Sequence, residues 1–142
     1  MSNALRAQGT QIQHGVGSVF TSIEECNDIK IGGISISSID VTHLASTAKE
    51  FIPGLADNGT VDIMCNFING VVQNSVRADS NAALVSPYKI LITSGTAATP
   101  SVTTIAFNAF VTKYAGPDAK VDGKLDIQIT LKVTGALTIT TV

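Results

Sequence analysis

The sequence predicts a mainly β fold, a β-sandwich or β-barrel of about seven to eight strands with one flanking α-helix and a long inter-strand loop. Three observations predict this fold. Short segments alternate apolar and polar residues, which is the period of a half-buried strand. Turn-forming Gly, Asn and Asp residues separate these segments. Only residues 71–84 carry a helical pattern, so the many short strands are expected to pack as a sandwich or a barrel.

The first half of the chain predicts a series of strands separated by turns. At Ser38-Ile39 the alternation changes parity, which predicts a β-bulge because a one-residue slip moves side chains to the other face. Asn27-Asp28 is expected to break the pattern. The predicted strands cover residues 10–14, 18–25, 34–41 and 61–67.

The second half predicts the helix and the remaining strands. Val72 and Val76 lie four residues apart on the apolar face of the helix, and Pro87 stops the helix because the residue before a proline disfavours the helical region. A loop from Gly116 ends at the turn dipeptide Asp122-Gly123. The predicted strands cover residues 88–92, 103–111, 124–134 and 137–139.

Length and termini fit one domain over residues 1–142. Residues 1–10 are small and polar, so we expect a flexible N-terminal arm. The N-terminus has no apolar signal-peptide core, and no apolar run approaches the roughly 18 residues of a membrane span. We therefore expect a protein that is made in a cytoplasm and stays soluble there.

Charge is scarce in this chain. Charged residues make up 14% of the sequence, below the usual ~25%, which indicates a surface partly covered by partners. A small β protein rich in Thr and Ser accounts for the same composition. The net charge of −2 argues against a nucleic-acid-binding surface.

The residues that usually carry chemistry are few and dispersed. Neither His14 nor His43 has a Cys, carboxylate or second His at metal-ligand spacing, so we expect no catalytic site, metal or cofactor. Asp40 and His43 lie three apart, and we interpret them as anchors of a loop rather than as an acid/base pair. Cys26 and Cys65 could form one disulfide, but a buried thiol is favoured for Cys65 because it lies on the apolar phase of a strand.

The connection over residues 42–58 differs from the others. It is much longer than the usual ~2–6 residues and carries charges next to the apolar Phe51-Ile52-Pro53. Long connections are typically functional or disordered. We interpret this one as a contact loop, and the alternative is a loop folded back over its own core.

The order of these segments resembles a known family. DVTH, then KEFIPGLADNGTV, then an alternating strand, together with the C-terminal VDGKLDIQITLKVTGALTIT, resembles the tail tube (major tail) proteins of long, non-contractile-tailed bacteriophages. The resemblance implies a non-enzymatic virion protein whose hexameric rings stack into a hollow tail tube. The resemblance also implies that double-stranded DNA passes through this conduit into the host without specific binding.

The resemblance also implies partners and a location. The partners would be further copies of the chain, a tape-measure protein, a tail terminator and distal tail-tip proteins. The protein would be assembled in the host bacterial cytoplasm and reside in the phage tail. No membrane partner is implied.

Within that family role, specific residues receive expected positions. The strand Lys124 to Thr134 is expected to supply a sheet edge that pairs with the next subunit. Lumen-facing candidates are Ser35, Ser37, Gln128 and Thr130. Inter-ring contacts are expected from the loop residues Thr42, His43, Lys49, Glu50, Phe51 and Ile52.

Two other functions remain open from the sequence. A tube subunit of a type VI-like secretion apparatus would share the fold. A non-catalytic β-sandwich binding module would share the strand pattern, but such a module usually brings more loop aromatics and a secretory signal.

Overall fold

A computed structural model describes residues 9–95, 100–119, 121 and 123–141. Most of the expected N-terminal arm, residues 1–8, lies outside the described residues, as does Asp122 of the expected Asp122-Gly123 turn. No helix in the described part is long and apolar enough to cross a membrane.

The described residues form nine strands and one helix. The predicted fold class, mainly β with a single helix, is confirmed. The elements are β1 (Gln11–Val16), β2 (Val19–Ser22), β3 (Cys26–Ile31), β4 (Ser35–Asp40), β5 (Phe51–Asp57), β6 (Thr60–Asn66), α1 (Val71–Ala82), β7 (Val85–Gly95), β8 (Pro100–Asp118) and β9 (Asp126–Thr141).

Seven strands form one antiparallel sheet in the order β2-β1-β7-β8-β9-β6-β3. The sheet curls until its two ends approach, since β1 contacts β3. No ladder joins β3 to β1 or β2 among the described strands, so the sheet is not closed into a barrel. The two edge strands of this sheet are therefore β2 and β3.

The core lies on one face of the curled sheet, beneath the helix. Alternate residues of β6 and β9 point into it, so both strands show the predicted period of two. Ile63, Ile129 and Leu131 are fully buried. Leu125 has the same parity as these residues of β9, but it precedes the strand and is 41% exposed.

The helix closes the core through a short stripe. Val72 and Val76 are buried as predicted, and Gln73 is buried between them. Its side-chain amide donates to the carbonyls of Glu24 and Asn66, each at 2.9 Å, and its oxygen accepts from the Ile68 amide at 3.3 Å. These bonds satisfy backbone groups where the chain enters and leaves the sheet.

Strands β4 and β5 pair only with each other, as an antiparallel hairpin outside the main sheet. The prediction of a loop over residues 42–58 is therefore wrong for its second half, because residues 51–57 form β5. The loop is confined to residues 41–50. The expected bulge lies between Ile36 and Ser38, next to the predicted phase slip.

Two further expectations are wrong. Asn27-Asp28 does not interrupt the chain, because both residues lie inside β3, where a register shift absorbs them. The stretch from Lys124 to Thr134 is not a sheet edge, since β9 pairs with β8 on one side and β6 on the other.

Candidate interaction surface

The β4–β5 hairpin is exposed on both faces. Every residue of β4 and all of β5 except Gly54 are exposed. Half-buried strands normally place one apolar face against a core, and this hairpin has none beneath it. Its exposed apolar side chains are Ile34, Ile36, Ile39, Val41, Leu44, Phe51, Ile52 and Leu55, of which Leu55 is 93% exposed.

The tip of the hairpin is ordered by its own polar side chains. The Thr42 hydroxyl accepts from the Glu50 amide at 2.8 Å, and the Val41 amide donates to the Glu50 carbonyl at 2.9 Å. Ser46 donates its hydroxyl to the Glu50 carboxylate at 2.7 Å. The loop is thus held in shape while pointing into solvent, and it does not fold back over the core.

Asp40 and His43 act as loop anchors, as interpreted from the sequence, but they do not pair with each other. The Asp40 carboxylate accepts from the Thr42 amide at 2.9 Å, and the hydrogen bonds from Thr42 hold the pKa of Asp40 below its ordinary value. His43 Nε2 lies 3.5 Å from the Glu50 carboxylate.

The root of the hairpin is fixed to the main sheet by polar contacts. Lys132 Nζ lies 2.7 Å from Asp57 Oδ1, and the Asn58 side-chain amide donates to the Gly135 carbonyl at 2.6 Å. These two contacts join the end of β5 to the middle of β9. They fix the direction in which the hairpin leaves the sheet.

An apolar cavity of about 380 Å³ lies beside this root. It separates the base of the hairpin from the C-terminal half of β9. Its lining is Ile31, Ile34, Asn58, Ile105, Leu137 and Ile139.

The main sheet also presents unpaired backbone along several stretches. Besides β2 and β3, the C-terminal part of β9 is open on one side, because β6 pairs with β9 only as far as Thr60 opposite Lys132. The Val133 amide still donates to the Gly59 carbonyl, and the Gly135 carbonyl accepts from Asn58; after Gly135, β9 pairs with β8 alone. Ile139 on this open stretch is 64% exposed.

The lumen candidates fall on two separate elements. Ser35 and Ser37 are exposed on β4, whereas Gln128 and Thr130 lie half-buried on β9 and point away from the core. The Thr130 hydroxyl donates to the Asp62 carboxylate of β6 at 3.0 Å. The structure therefore does not bring the four residues together on one strand pair.

A buried polar cluster joins β1, α1 and β7. His14 Nε2 and the Ser86 hydroxyl each lie 2.6 Å from the same oxygen of Asp79. In a nucleophilic triad the hydroxyl would bond the imidazole, but here it donates to the carboxylate. The arrangement fixes the helix to two strands. Among the described residues, no group of three His, Cys, Asp or Glu could hold a metal ion.

Sequence reasoning placed the contact residues in exposed positions but missed part of the surface. Thr42, His43, Lys49, Glu50, Phe51 and Ile52 are all exposed in or beside the hairpin loop. Ile34 and Ile36 were missed as surface residues, whereas Leu44 and Leu55 lie inside the predicted contact loop but were not named as contacts. The sequence did contain a signal for Ile34 and Ile36. They belong to a short apolar alternation after Gly32-Gly33 whose parity does not match that of the segment that follows it.

No protein-family model matches the sequence, and no curated protein matches it. Similarity appears only at the level of solved structures.

Several solved structures share the fold over nearly the whole chain. A chain in the tail of an empty gene transfer agent particle, refined helically with C6 symmetry, superposes with a TM-score of 0.73 at 17% identity, covering 96% of this chain and 99% of that one. A chain of the sheath-tube complex of an extracellular contractile injection system gives 0.71 at 14% identity, covering 99% and 93%. The SPP1 tail tube gives 0.67 at 11% identity, covering 96% and 78%. The resemblance to tail tube proteins stated from the sequence is thus confirmed at the level of fold.

Proposed function

We propose that this protein is a structural, non-enzymatic subunit of a phage tail tube, assembled as hexameric rings that stack into a conduit for double-stranded DNA. The single observation that carries the proposal is the β4–β5 hairpin, which exposes a large apolar surface with no partner inside the subunit. Exposed apolar patches of this kind mark contact sites in soluble proteins. The shared fold with the tail of a gene transfer agent particle and with the SPP1 tail tube supports this assignment.

In this proposal the hairpin is the contact between stacked rings. It projects from the sheet and is stiffened at its tip by Thr42 and Glu50 and at its root by Lys132 and Asp57. A stiff projection loses little conformational freedom when it docks, so more of the burial energy remains as affinity. Phe51 and Ile52 provide the apolar contacts, with His43, Lys49 and Glu50 around them.

Contacts within a ring use the open backbone of the main sheet. Unpaired edges are templates for pairing with another chain, and natural monomers usually blunt them. The available stretches are β2, β3 and the part of β9 beyond Gly135. A head-to-tail contact that uses two different surfaces closes into rings when the rotation permits, and stacked rings extend without limit.

The lumen surface is proposed to include Gln128 and Thr130, on the polar face of the sheet opposite the core. Ser35 and Ser37 lie on the hairpin and are proposed to reach the lumen only near a ring junction. Uncharged side chains suit a conduit, since phosphate affinity rises with basic residues. Gln128→Lys should slow DNA transit, and unchanged DNA ejection would contradict this placement.

The test is electron microscopy of the purified full chain at increasing concentration, together with sedimentation velocity. The proposal expects rings and tubes, with neighbouring tape-measure, terminator and tail-tip proteins required for defined length. A chain that stays monomeric at high concentration, with these partners present, would overturn it. That outcome would favour a simple binding module.

A matched pair of variants separates stacking from ring formation. Phe51→Asp places a charge on the hairpin, where Phe51 is 54% exposed, and Val121→Asp places one at a fully exposed apolar residue elsewhere. We expect Phe51→Asp to leave rings but abolish tubes, while Val121→Asp still forms tubes. Tubes of normal length from Phe51→Asp would remove the hairpin from the stacking contact.

A second candidate is a tube subunit of a contractile, type VI-like apparatus. The match to a chain of the contractile sheath-tube complex, at a TM-score of 0.71, favours it. Such a tube has to bind a sheath along its outer surface. Binding of purified tubes to a co-expressed sheath protein would select this candidate over a non-contractile tail.

A further inference from the structure

We propose that Cys26 and Cys65 form a redox-active thiol pair that small-molecule disulfides convert into an intramolecular disulfide. The two residues face each other across β3 and β6, with their Sγ atoms 2.7 Å apart, and both are free thiols in this structure. The inference rests on the local geometry of the sheet and does not depend on tube assembly.

The backbone around the pair fits a disulfide. The Asn66 amide donates to the Glu25 carbonyl at 3.0 Å, which flanks the Cys26–Cys65 pair on its outer side. The pair therefore occupies a non-hydrogen-bonded position of the antiparallel ladder, where Cα atoms lie about 4.5 Å apart. Native disulfides span Cα separations of roughly 4.4–6.8 Å, so the bond forms without moving either strand.

The two thiols differ in exposure, which sets the order of reaction. Cys26 is half-buried at the start of an edge strand, whereas Cys65 is fully buried. The hydrogen bond with Cys26 raises the pKa of Cys65 above its ordinary value, and burial raises it further. Cys26 is therefore the thiol that an external reagent meets first, and Cys65 is the resolving thiol.

The reaction is thiol–disulfide exchange in two steps. The Cys26 thiolate attacks one sulfur of an external disulfide, which forms a mixed disulfide and releases one thiol. Cys65, once deprotonated, attacks Cys26 Sγ and releases the second thiol. Two protein thiols are oxidised and one external disulfide is reduced to two thiols, which take up both protons, so no other oxidant is needed.

The bond would tie down a strand that has a single neighbour. In the sheet β3 pairs only with β6, so its outer side is unsupported. The two cysteines are 39 positions apart, and the chain between them contains the whole β4–β5 hairpin. Oxidation would close this segment into a covalent loop and oppose fraying of the edge from which the hairpin emerges.

The test compares the full chain after reduction with the full chain after incubation with oxidised glutathione. We expect titratable thiols in denaturant to fall from two to none, with the mass lowered by two hydrogen atoms. Peptide mapping without reductant should join the peptides that contain Cys26 and Cys65. Closing a loop of this length should raise the melting temperature by about 10 °C, reversibly with dithiothreitol.

Single-cysteine variants are the matched controls. Cys26→Ser and Cys65→Ala should each show the same melting temperature with and without oxidant. Persistence of both thiols in the oxidised wild-type chain would overturn the proposal. So would a reaction that stops at a glutathione adduct, or a bond between two copies of the chain. If Cys65→Ala fails to fold, the wild-type thiol count and peptide map still decide.

Discussion

The main sheet and the β4–β5 hairpin obey opposite rules of burial. In β9 the residues from Ile127 to Val133 alternate between buried and half-buried, and each apolar side chain meets the core. In β4 and β5 the apolar residues are as frequent but are exposed on both faces. Burial of apolar surface explains why the sheet forms, whereas it gives no reason within the subunit for the composition of the hairpin.

The contrast in burial separates residues that stabilise the subunit from residues that are free to contact a partner. The apolar residues of the sheet are explained by their contribution to the stability of the subunit. Residues of the hairpin are accounted for only by something that covers them, since exposed apolar side chains otherwise bring a risk of aggregation. The tip and root of the hairpin are hydrogen-bonded, so its exposure belongs to an ordered element.

The largest difference in stability is expected when the same substitution, leucine to alanine, is made in both regions. Leu131→Ala removes a fully buried side chain and should lower the free energy of unfolding by about 2–5 kcal/mol. Leu55→Ala, at a residue 93% exposed, should change it by less than about 0.5 kcal/mol. Urea denaturation at concentrations where the chain is monomeric measures both. Similar losses would mean that the hairpin is packed in solution.

The next prediction concerns the hydrogen bonds that the buried Gln73 side chain makes to the ends of the strands. Gln73→Leu keeps the volume but leaves the carbonyls of Glu24 and Asn66 without their amide donor. We expect the free energy of unfolding to fall by roughly 2–3 kcal/mol, because buried polar groups are left unpaired. Gln128→Leu, on the polar face of β9, is the control and should cost under about 0.5 kcal/mol. Equal effects on the unfolding midpoint would deny Gln73 this role.

The junction between the regions is tested by glycine. Gly59 has φ +77°, and a Cβ there would meet the Gly33 carbonyl oxygen at 2.5 Å. Gly17 also has positive φ, at +62°, but open space around it. Both alanine variants carry the left-handed penalty of about 1–2 kcal/mol. Gly59→Ala should lower the free energy of unfolding more than Gly17→Ala does. It should also speed amide hydrogen exchange in the hairpin. A hairpin with unchanged exchange would show that its root tolerates the shift.

The smallest expected effect is electrostatic and concerns the same junction. The hydrogen bond from Lys132 holds the pKa of Asp57 below its ordinary value of 3.8, with help from the Gly59 amide. The ionised Asp57 carboxylate therefore stabilises the folded state fully above pH 3.8. This stabilisation is lost as the pH falls through the folded-state pKa of Asp57. Asp57→Asn should flatten the decline of stability in acid, measured by urea unfolding between about pH 2 and 5. Lys132→Met should flatten it likewise, and an unchanged acid profile in both would contradict the pairing.

Much of the core was predictable because its pattern is local. The period of two identified the strands that contain Ile63 and Ile129, and both residues are fully buried. Val72 and Val76 identified the buried stripe of the helix in the same way. In each case one face is buried against a single core, so the alternation in the sequence has a direct physical cause.

The remaining features depend on contacts between distant segments. Pro53 and Gly54 disfavour a strand interior, so residues 51–57 looked like loop, but a two-stranded hairpin has free edges where such residues are tolerated. The central place of β9 depends on the strand order, which no local pattern contains. His14 and Asp79 are 65 positions apart, and their pairing follows from packing the helix on the sheet.

The hairpin enters and leaves the sheet at one point. Ile31 at the end of β3 is the register partner of Val61 at the start of β6, so these strands would be adjacent even if a tight turn joined them. The hairpin is therefore an insertion whose length can change without altering the register of any other strand. The main sheet and the β4–β5 hairpin are therefore separate modules. Evolution can lengthen, shorten or exchange the hairpin while the main sheet stays constant.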